Sequence, residues 1–198
     1  MPDAGPGSSR ALVLTVSTRA AAGTRPDESG PALADEVRAL GLAVDGPDVV
    51  PDGEQVGERL RAAVADGYAL VVTTGGTGVS PTDRTPERTA PLLDLDLPGV
   101  PEAIRAAGLA AGKPTAMLSR GVAGVAGRNG AVNLPGSVGA VREGMAAGGP
   151  ALTRAGGQGA GVLWAVLPSG LGPGLRRSWA PWVVQKMVLI SKQQNITS

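Results

Sequence analysis

Val71-Val72-Thr73-Thr74-Gly75-Gly76-Thr77-Gly78-Val79-Ser80-Pro81-Thr82-Asp83-Arg84-Thr85-Pro86-Glu87 is the stretch around which the chain is organised. It opens as a strand, because the apolar run Ala69-Leu70-Val71-Val72 leads into β-branched Thr73 and Thr74, the make-up of a buried strand. Gly75, Gly76 and Gly78 remove side chains where a backbone must turn sharply or approach a ligand. Free backbone N–H groups in such a loop can face phosphate oxygens. Thr85-Pro86-Glu87 reads as a helix cap, a proline at the first helical position and an acid in the first turn. Asp83 stands between loop and helix, where a carboxylate can hold a metal ion or position a ligand. This is an anion-binding layout at the carboxyl end of a strand, where open α/β sheets place their ligands. Spacing alone leaves a second reading open, a plain tight strand-to-helix connection. The loop is not a P-loop, since no Lys-[Ser/Thr] follows the glycines, and Val79-Ser80-Pro81 stand where a dinucleotide fingerprint needs its third glycine.

Working upstream, Arg10-Ala11-Leu12-Val13-Leu14-Thr15-Val16-Ser17 reads as the first strand, apolar enough to be covered on both faces. Ser17-Thr18-Arg19 leaves its carboxyl end, and residues 20–29 read as a loop in which Arg25, Asp27 and Glu28 are within reach of a ligand or simply solvated. A helix is expected from Ser29-Gly30-Pro31 to Leu40, with Leu33, Val37 and Leu40 on one face and Gly41 ending it. Residues 42–50 read as a second strand, at a sheet edge because Gly46-Pro47 interrupts it. Asp52 follows, either a functional acid or the cap of the next helix. That helix, residues 54–66, carries Val56, Leu60 and Val64 as its apolar stripe. The order βαβαβ implies a parallel sheet with crossover helices.

Downstream, residues 85–93 and 102–111 are expected to be helical, with Glu102 in a first turn. Thr115-Ala116-Met117-Leu118-Ser119 reads as a strand, the glycine run after Arg120 as flexible, and Ala131-Val132-Asn133-Leu134 as the last strand. Pro135-Gly136-Ser137 closes it before a helix over 138–147. Residues 1–9 read as a disordered leader without the basic start and apolar core of a signal peptide. From Gly148 the character changes to glycine- and proline-rich clusters with Trp164, Trp179 and Trp182, giving a division into 1–9, a domain over 10–147 and an atypical tail over 148–198. The apolar run 182–190 is too short to cross a bilayer.

Composition narrows the chemistry. At 198 residues with 42% hydrophobic content, one domain with an ample core is expected. The net charge of +1 does not mark a nucleic-acid groove, and the absence of Phe argues against base-stacking platforms. With no Cys and no His, thiolate catalysis, the Ser-His-Asp triad and imidazole or thiolate metal sites drop out. Acid–base or metal chemistry then falls to carboxylates, Lys, Tyr and hydroxyls, and oxygen ligands favour magnesium.

Several separate motifs now agree. Thr73-Thr74-Gly75-Gly76-Thr77-Gly78, Asp83-Arg84-Thr85-Pro86-Glu87, Leu118-Ser119-Arg120 and Asn133-Leu134-Pro135-Gly136-Ser137, in this order over residues 12–147, closely resemble the molybdopterin-binding family, most of all its stand-alone Mog/MoaB group of molybdenum cofactor biosynthesis. The resemblance implies a three-layer α/β sandwich around a mostly parallel sheet, assembled as a homotrimer or a hexamer, in the cytoplasm. It implies that molybdopterin is bound and that AMP passes from magnesium ATP to its terminal phosphate, releasing pyrophosphate. Other cofactor-biosynthesis proteins are implied partners; nucleic acid and membrane are not. A non-catalytic molybdopterin-binding or protein-interaction paralogue is the alternative.

Carried over residue by residue, the resemblance makes Asp52 and Asp83 the catalytic acids, with Asp83 on Mg2+. Ser17, Thr74, Gly75, Gly76, Thr77 and Gly78 would bind phosphate or pterin, as would Ser119, Arg120, Pro135, Gly136 and Ser137. Glu102 matches a family acid near the site. Two features depart from the pattern: Thr18 stands where many relatives carry Asp, and the chain runs on past Ala147 where relatives end with a helix.

Overall fold

A computed structural model describes residues 10–156. The leader and the part of the tail that holds all three tryptophans lie outside the described residues.

Strand β1 (Arg10–Val16) is buried on both faces, as its unbroken apolar sequence requires. It lies parallel between β2 (Ala43–Val50) and β3 (Leu70–Thr74), and β3 pairs in parallel with β6 (Asn129–Leu134). Two antiparallel strands extend that side, β5 (Ala123–Ala126) against β6 and the short β4 (Leu95–Asp96) against β5. The order β2-β1-β3-β6-β5-β4 puts β2 at an edge, as Gly46-Pro47 suggested.

Strand periodicity sorts the core into two layers. Ala11 and Val13 of β1, Leu70 and Val72 of β3, and Val132 and Leu134 of β6 form one cluster with helices α2 (Ser29–Ala39), α5 (Gly99–Ala110) and α6 (Val138–Gly156). Leu12, Leu14 and Val16, with Val71, face the opposite way onto Val56, Leu60 and Ala63 of α3 (Glu54–Ala65). Sheet between helices on both faces is the expected three-layer α/β sandwich. The remaining helical pieces are short: α1 (Thr18–Ala21), α4 (Thr85–Thr89) with a 3-10 turn at Ala90–Leu92, and a 3-10 helix at Pro114–Leu118.

Four expectations are corrected. Residues 115–119 do not form a strand: they belong to the 3-10 helix, whose Met117 and Leu118 are 64% and 51% exposed. Pro114 opens that turn, and Ala116 lies so close to α5 that a Cβ on Gly108 would come within 2.6 Å of its own. The glycine run after Arg120 is not a flexible connector but a hairpin. Gly124 admits the Leu95 carbonyl and the Leu93 methyls, and Gly127 turns at φ +61°. Close approach, not looseness, is what glycine supplies there. Ala20 and Ala21, expected to open a loop, instead close the helical turn α1. Finally, α6 runs on past 147 to Gly156, through the turn-like Gly148-Gly149-Pro150, because Leu152 is buried in the core and Gly149 packs on Leu40. Tertiary burial overrides weak helix propensity here.

Candidate functional site

The parallel register brings four strand ends to one edge. Val16 lies beside Val50, Thr15 beside Thr74, and Thr74 beside Leu134. Ser17, Asp52, Gly75 and Pro135 therefore all leave the sheet on the same side, at the carboxyl ends of β1, β2, β3 and β6.

The glycine loop is held by its surroundings. Gly75 and Gly76 turn at φ +99° and +62°. A Cβ on Gly75 would strike the Val16 carbonyl oxygen, and one on Gly76 would strike Asp52 Oδ1 and Thr85 Oγ1. Gly75 donates its N–H to the Leu134 carbonyl at 3.0 Å. Thr85 does not cap α4 with its side chain, since Arg84 is the flanking residue. Its hydroxyl instead donates to the Gly75 carbonyl at 3.0 Å and its N–H to the Gly76 carbonyl at 3.1 Å, tying the helix start to the loop. Thr74 is fully buried and donates to the Pro135 carbonyl at 2.9 Å. It braces the Pro135-Gly136-Ser137 turn, where a Cβ on Gly136 would lie 3.1 Å from Gly75 Cα.

Two carboxylates reach this loop. Asp83 Oδ2 accepts the Ser80 N–H at 2.9 Å and stands over Gly78, where an added Cβ would come within 2.8 Å of it. Asp52 does not cap α3, whose flanking residue is Gly53. Its own N–H donates to Thr18 Oγ1 at 3.3 Å, so Thr18 supports the backbone of this acid. Asp52 Oδ1 is buried without a hydrogen-bond partner. Burial pushes the Asp52 carboxyl above its ordinary range; a hydrogen bond from the Arg84 backbone opposes this, and the nearby charge of Asp83 adds to it.

Arg120 holds the far side of the loop. Its Nε donates to the Gly78 carbonyl and its Nη2 to the Asp83 carbonyl, both at 2.7 Å, while Nη1 pairs with Glu87. Burial acts to raise the Glu87 carboxyl, but the Arg120 hydrogen bond and charge outweigh it and hold the group below its ordinary range. Arg120 N–H also donates to the Thr77 carbonyl at 2.8 Å.

Two clefts open on either side of this assembly, of about 360 Å³ and about 700 Å³. Gly75, Gly76, Asp83, Gly136 and Ser137 line both and form their shared wall. Ser137 Oγ accepts the Ala140 N–H at 3.3 Å and so caps α6, whose N-terminus faces the clefts with the favourable end of its dipole for anions. Thr77, Gly78, Ser119 and Pro135 line only the smaller cleft, and Ser17 and Asp52 only the larger. Thr74 and Arg120 line neither and act through the loop they brace. Glu102 is exposed on α5 and lines neither cleft.

Sequence reading missed Lys113 and Glu143, which meet at 2.5 Å in the smaller cleft, and Arg105, which also lines it. Thirty positions separate the pair, and only the packing of α5 against α6 reveals it. Arg19, Arg25 and Asp27 line the larger cleft. Asp27 accepts from Thr15 Oγ1 at 2.8 Å and from the Gly30 N–H at 2.9 Å, so it fixes the entry to α2. Among the described residues no group of three or more His, Cys, Asp or Glu side chains could hold a metal ion; at the glycine loop the acidic side chains are Asp52 and Asp83. That donor set suits magnesium, which takes one or two carboxylates together with substrate phosphates.

A glycine loop lining two clefts at the carboxyl edge of a three-layer α/β domain is where open α/β folds place a bound ligand. The family model described as a probable molybdopterin binding domain matches residues 12–154, and the chain belongs to that family. The molybdopterin biosynthesis Mog protein from Mycobacterium ulcerans superposes with a TM-score of 0.69 at 46% identity, covering 74% of this chain and 99% of that one. Molybdopterin adenylyltransferase from Pyrococcus furiosus is 39% identical over 137 residues, 67% of this chain and 80% of that protein. A molybdenum cofactor biosynthesis bifunctional protein from Chlorobaculum tepidum is 36% identical over 137 residues, and the match spans only 44% of its length.

Proposed function

We propose that this protein adenylylates molybdopterin in molybdenum cofactor biosynthesis. The observation that carries this reading is the shared wall of glycine loop, Asp83 and Ser137 between two clefts, with Asp52 on one side. A reaction that joins two phosphate-bearing ligands needs two adjoining clefts and one anion-tolerant boundary.

On this reading the larger cleft, with Arg19 and Arg25, takes ATP, and the smaller takes molybdopterin with its phosphate toward the Gly75–Gly78 backbone and the α6 N-terminus. The terminal phosphate oxygen of molybdopterin attacks the α-phosphorus of ATP. The bond from that phosphorus to the bridging oxygen breaks, and pyrophosphate leaves. The nucleophile is already anionic, so no general base is required, and a chain without histidine loses nothing. Catalysis comes from alignment of the two phosphates and from fixed donors that offset charge in the transition state. Asp52 and Asp83 would hold Mg2+, which supplies neutralisation of phosphate charge when bound. Arg120 and Thr74 keep the loop in shape for this task. A homotrimeric or hexameric assembly belongs to the same reading.

The test is direct. Purified protein with molybdopterin, ATP and magnesium should yield adenylylated molybdopterin and pyrophosphate, and yield neither when magnesium is withheld. Molybdopterin bound without turnover would replace the enzyme by a binding paralogue.

A further inference from the structure

The smaller cleft has two chemically different ends. One is the anion-tolerant wall just described. At the other, Lys113 Nζ donates to Glu143 Oε1 at 2.5 Å, while Glu143 Oε2 is buried with no hydrogen-bond partner. A carboxylate oxygen removed from water and left unpaired is costly unless something donates to it. Among the described residues nothing does. The ammonium keeps room because position 139 is glycine, where a Cβ would come within 2.7 Å of Nζ. Ile104, Ala116, Leu118 and Ala140 give the cleft apolar lining against which a ring can pack, alongside Arg105 and Thr115.

We propose that Glu143 and Lys113 read the pyrimidine edge of the pterin. Glu143 accepts from the 2-amino group and the adjacent ring N–H, and Lys113 donates to the 4-oxo oxygen. The inference rests on the molybdopterin reading of this cleft and adds the residues that select its ring. An aminopyrimidinone edge presents two donors side by side next to one acceptor, the complement of a carboxylate flanked by an ammonium. Carboxylates read exocyclic amino groups of bases in the same way. A ring with oxygen in place of the 2-amino group would set lone pairs against Glu143, and a site built for donors rejects such an analogue strongly.

Binding separates the two levels of this claim. Molybdopterin is titrated against the full-length wild-type protein, and 2-amino-4-oxopteridine and 2,4-dioxopteridine are compared as competitors. The amino compound should compete at least about tenfold better, since a hydrogen bond to a charged group is worth roughly a tenfold to hundredfold change in affinity. Glu143→Gln should weaken molybdopterin binding by about that factor, erase the preference between the competitors and leave the KM for ATP unchanged. Lys113→Met should weaken binding while keeping the amino preference. Equal competition by the two pteridines in the wild type overturns the proposal, even if Glu143→Gln fails to fold. So does an unchanged preference in a folded Glu143→Gln protein. Failure of the wild type to bind molybdopterin at all overturns the parent reading of the cleft instead.

Discussion

The guanidinium of Arg120 donates to the backbone carbonyl of Asp83 at 2.7 Å, across a separation of 37 residues. The same side chain holds the carbonyl of Gly78 and the carboxylate of Glu87. One residue thus fixes both ends of the segment that presents Asp83. The ion pair with Glu87 is 38% and 41% exposed on its two sides, so by itself it contributes no more than about 1 kcal/mol. The value of Arg120 lies in the shape of the loop.

Arg120→Lys is therefore expected to lower adenylyl transfer about tenfold or more, because an ammonium cannot span three acceptors held in a planar fork. The melting temperature should fall by only a few degrees. The concentration of magnesium giving half-maximal rate should rise, since Asp83 is no longer held in place. An unchanged magnesium dependence would show that Arg120 does not position Asp83.

Asp83→Asn keeps the size of the side chain but removes its charge. Transfer should drop by about two orders of magnitude or more, the loss expected for an electrostatic contact made in the transition state. Circular dichroism should remain that of the wild type. Full activity in this variant would exclude a role for the carboxylate.

Asp52 gives a pH signature. Its pKa is raised in the folded protein by burial, with the charge of Asp83 adding to the effect. A raised carboxylate pKa means that the unfolded chain ionises first as pH increases. The penalty is absent below the ordinary carboxylate range of about 4, grows as pH rises toward the folded pKa, and is fully present above it. Asp52→Asn should therefore raise the melting temperature at neutral pH in metal-free buffer, and this gain should vanish in acid. A gain that persists below the carboxylate range would mean that charge is not its source.

Asn133 is 1% exposed and joins three elements. Its Nδ2 donates to Thr73 Oγ1 and Thr89 Oγ1, both at 3.0 Å, and its Oδ1 accepts the Val122 N–H at 3.2 Å. Asn133→Ala leaves buried Thr73 Oγ1 without this donor and Thr89 Oγ1 with only its bond to the Thr85 carbonyl, and should cost about 1–3 kcal/mol in urea unfolding. Loss of less than about 1 kcal/mol would indicate that water replaces the amide.

Leu152→Ala tests how far the fold extends along α6. Leu152 is 2% exposed, so truncation should cost about 2–5 kcal/mol. A neutral result would place the effective end of the domain near residue 147.

The sheet centre was readable because strand burial is written in composition. Leu12 to Val16 and Leu70 to Thr74 are apolar or β-branched without a break, which only a strand covered on both faces tolerates. The positions of the loop acids were readable too, since Asp52 follows the end of β2 and Asp83 stands between the glycine loop and α4. What escaped depends on contacts between distant residues. Gly124 looks flexible until the Leu95 carbonyl is seen against it, and the segment around Met117 has a strand-like composition but no sheet partner. Glu102 could be matched to a pattern but not aimed, and its helix turns it to solvent. Thr74 and Arg120, expected to bind phosphate or pterin, line neither cleft and hold the loop instead, since linear order does not distinguish a residue placed to meet a ligand from one that shapes a loop.

The wall shared by the two clefts has one more consequence. On the proposed reading each ligand alone would be held on one side of Gly75, Gly76 and Ser137, the residues common to both clefts, and would leave by breaking one set of contacts. A joined product straddles the wall and must give up both sets together, so its escape is slower than that of either reactant. On that reading product departure would limit turnover, and a downstream acceptor that engages one half of the product while the other is still held would accelerate the whole cycle.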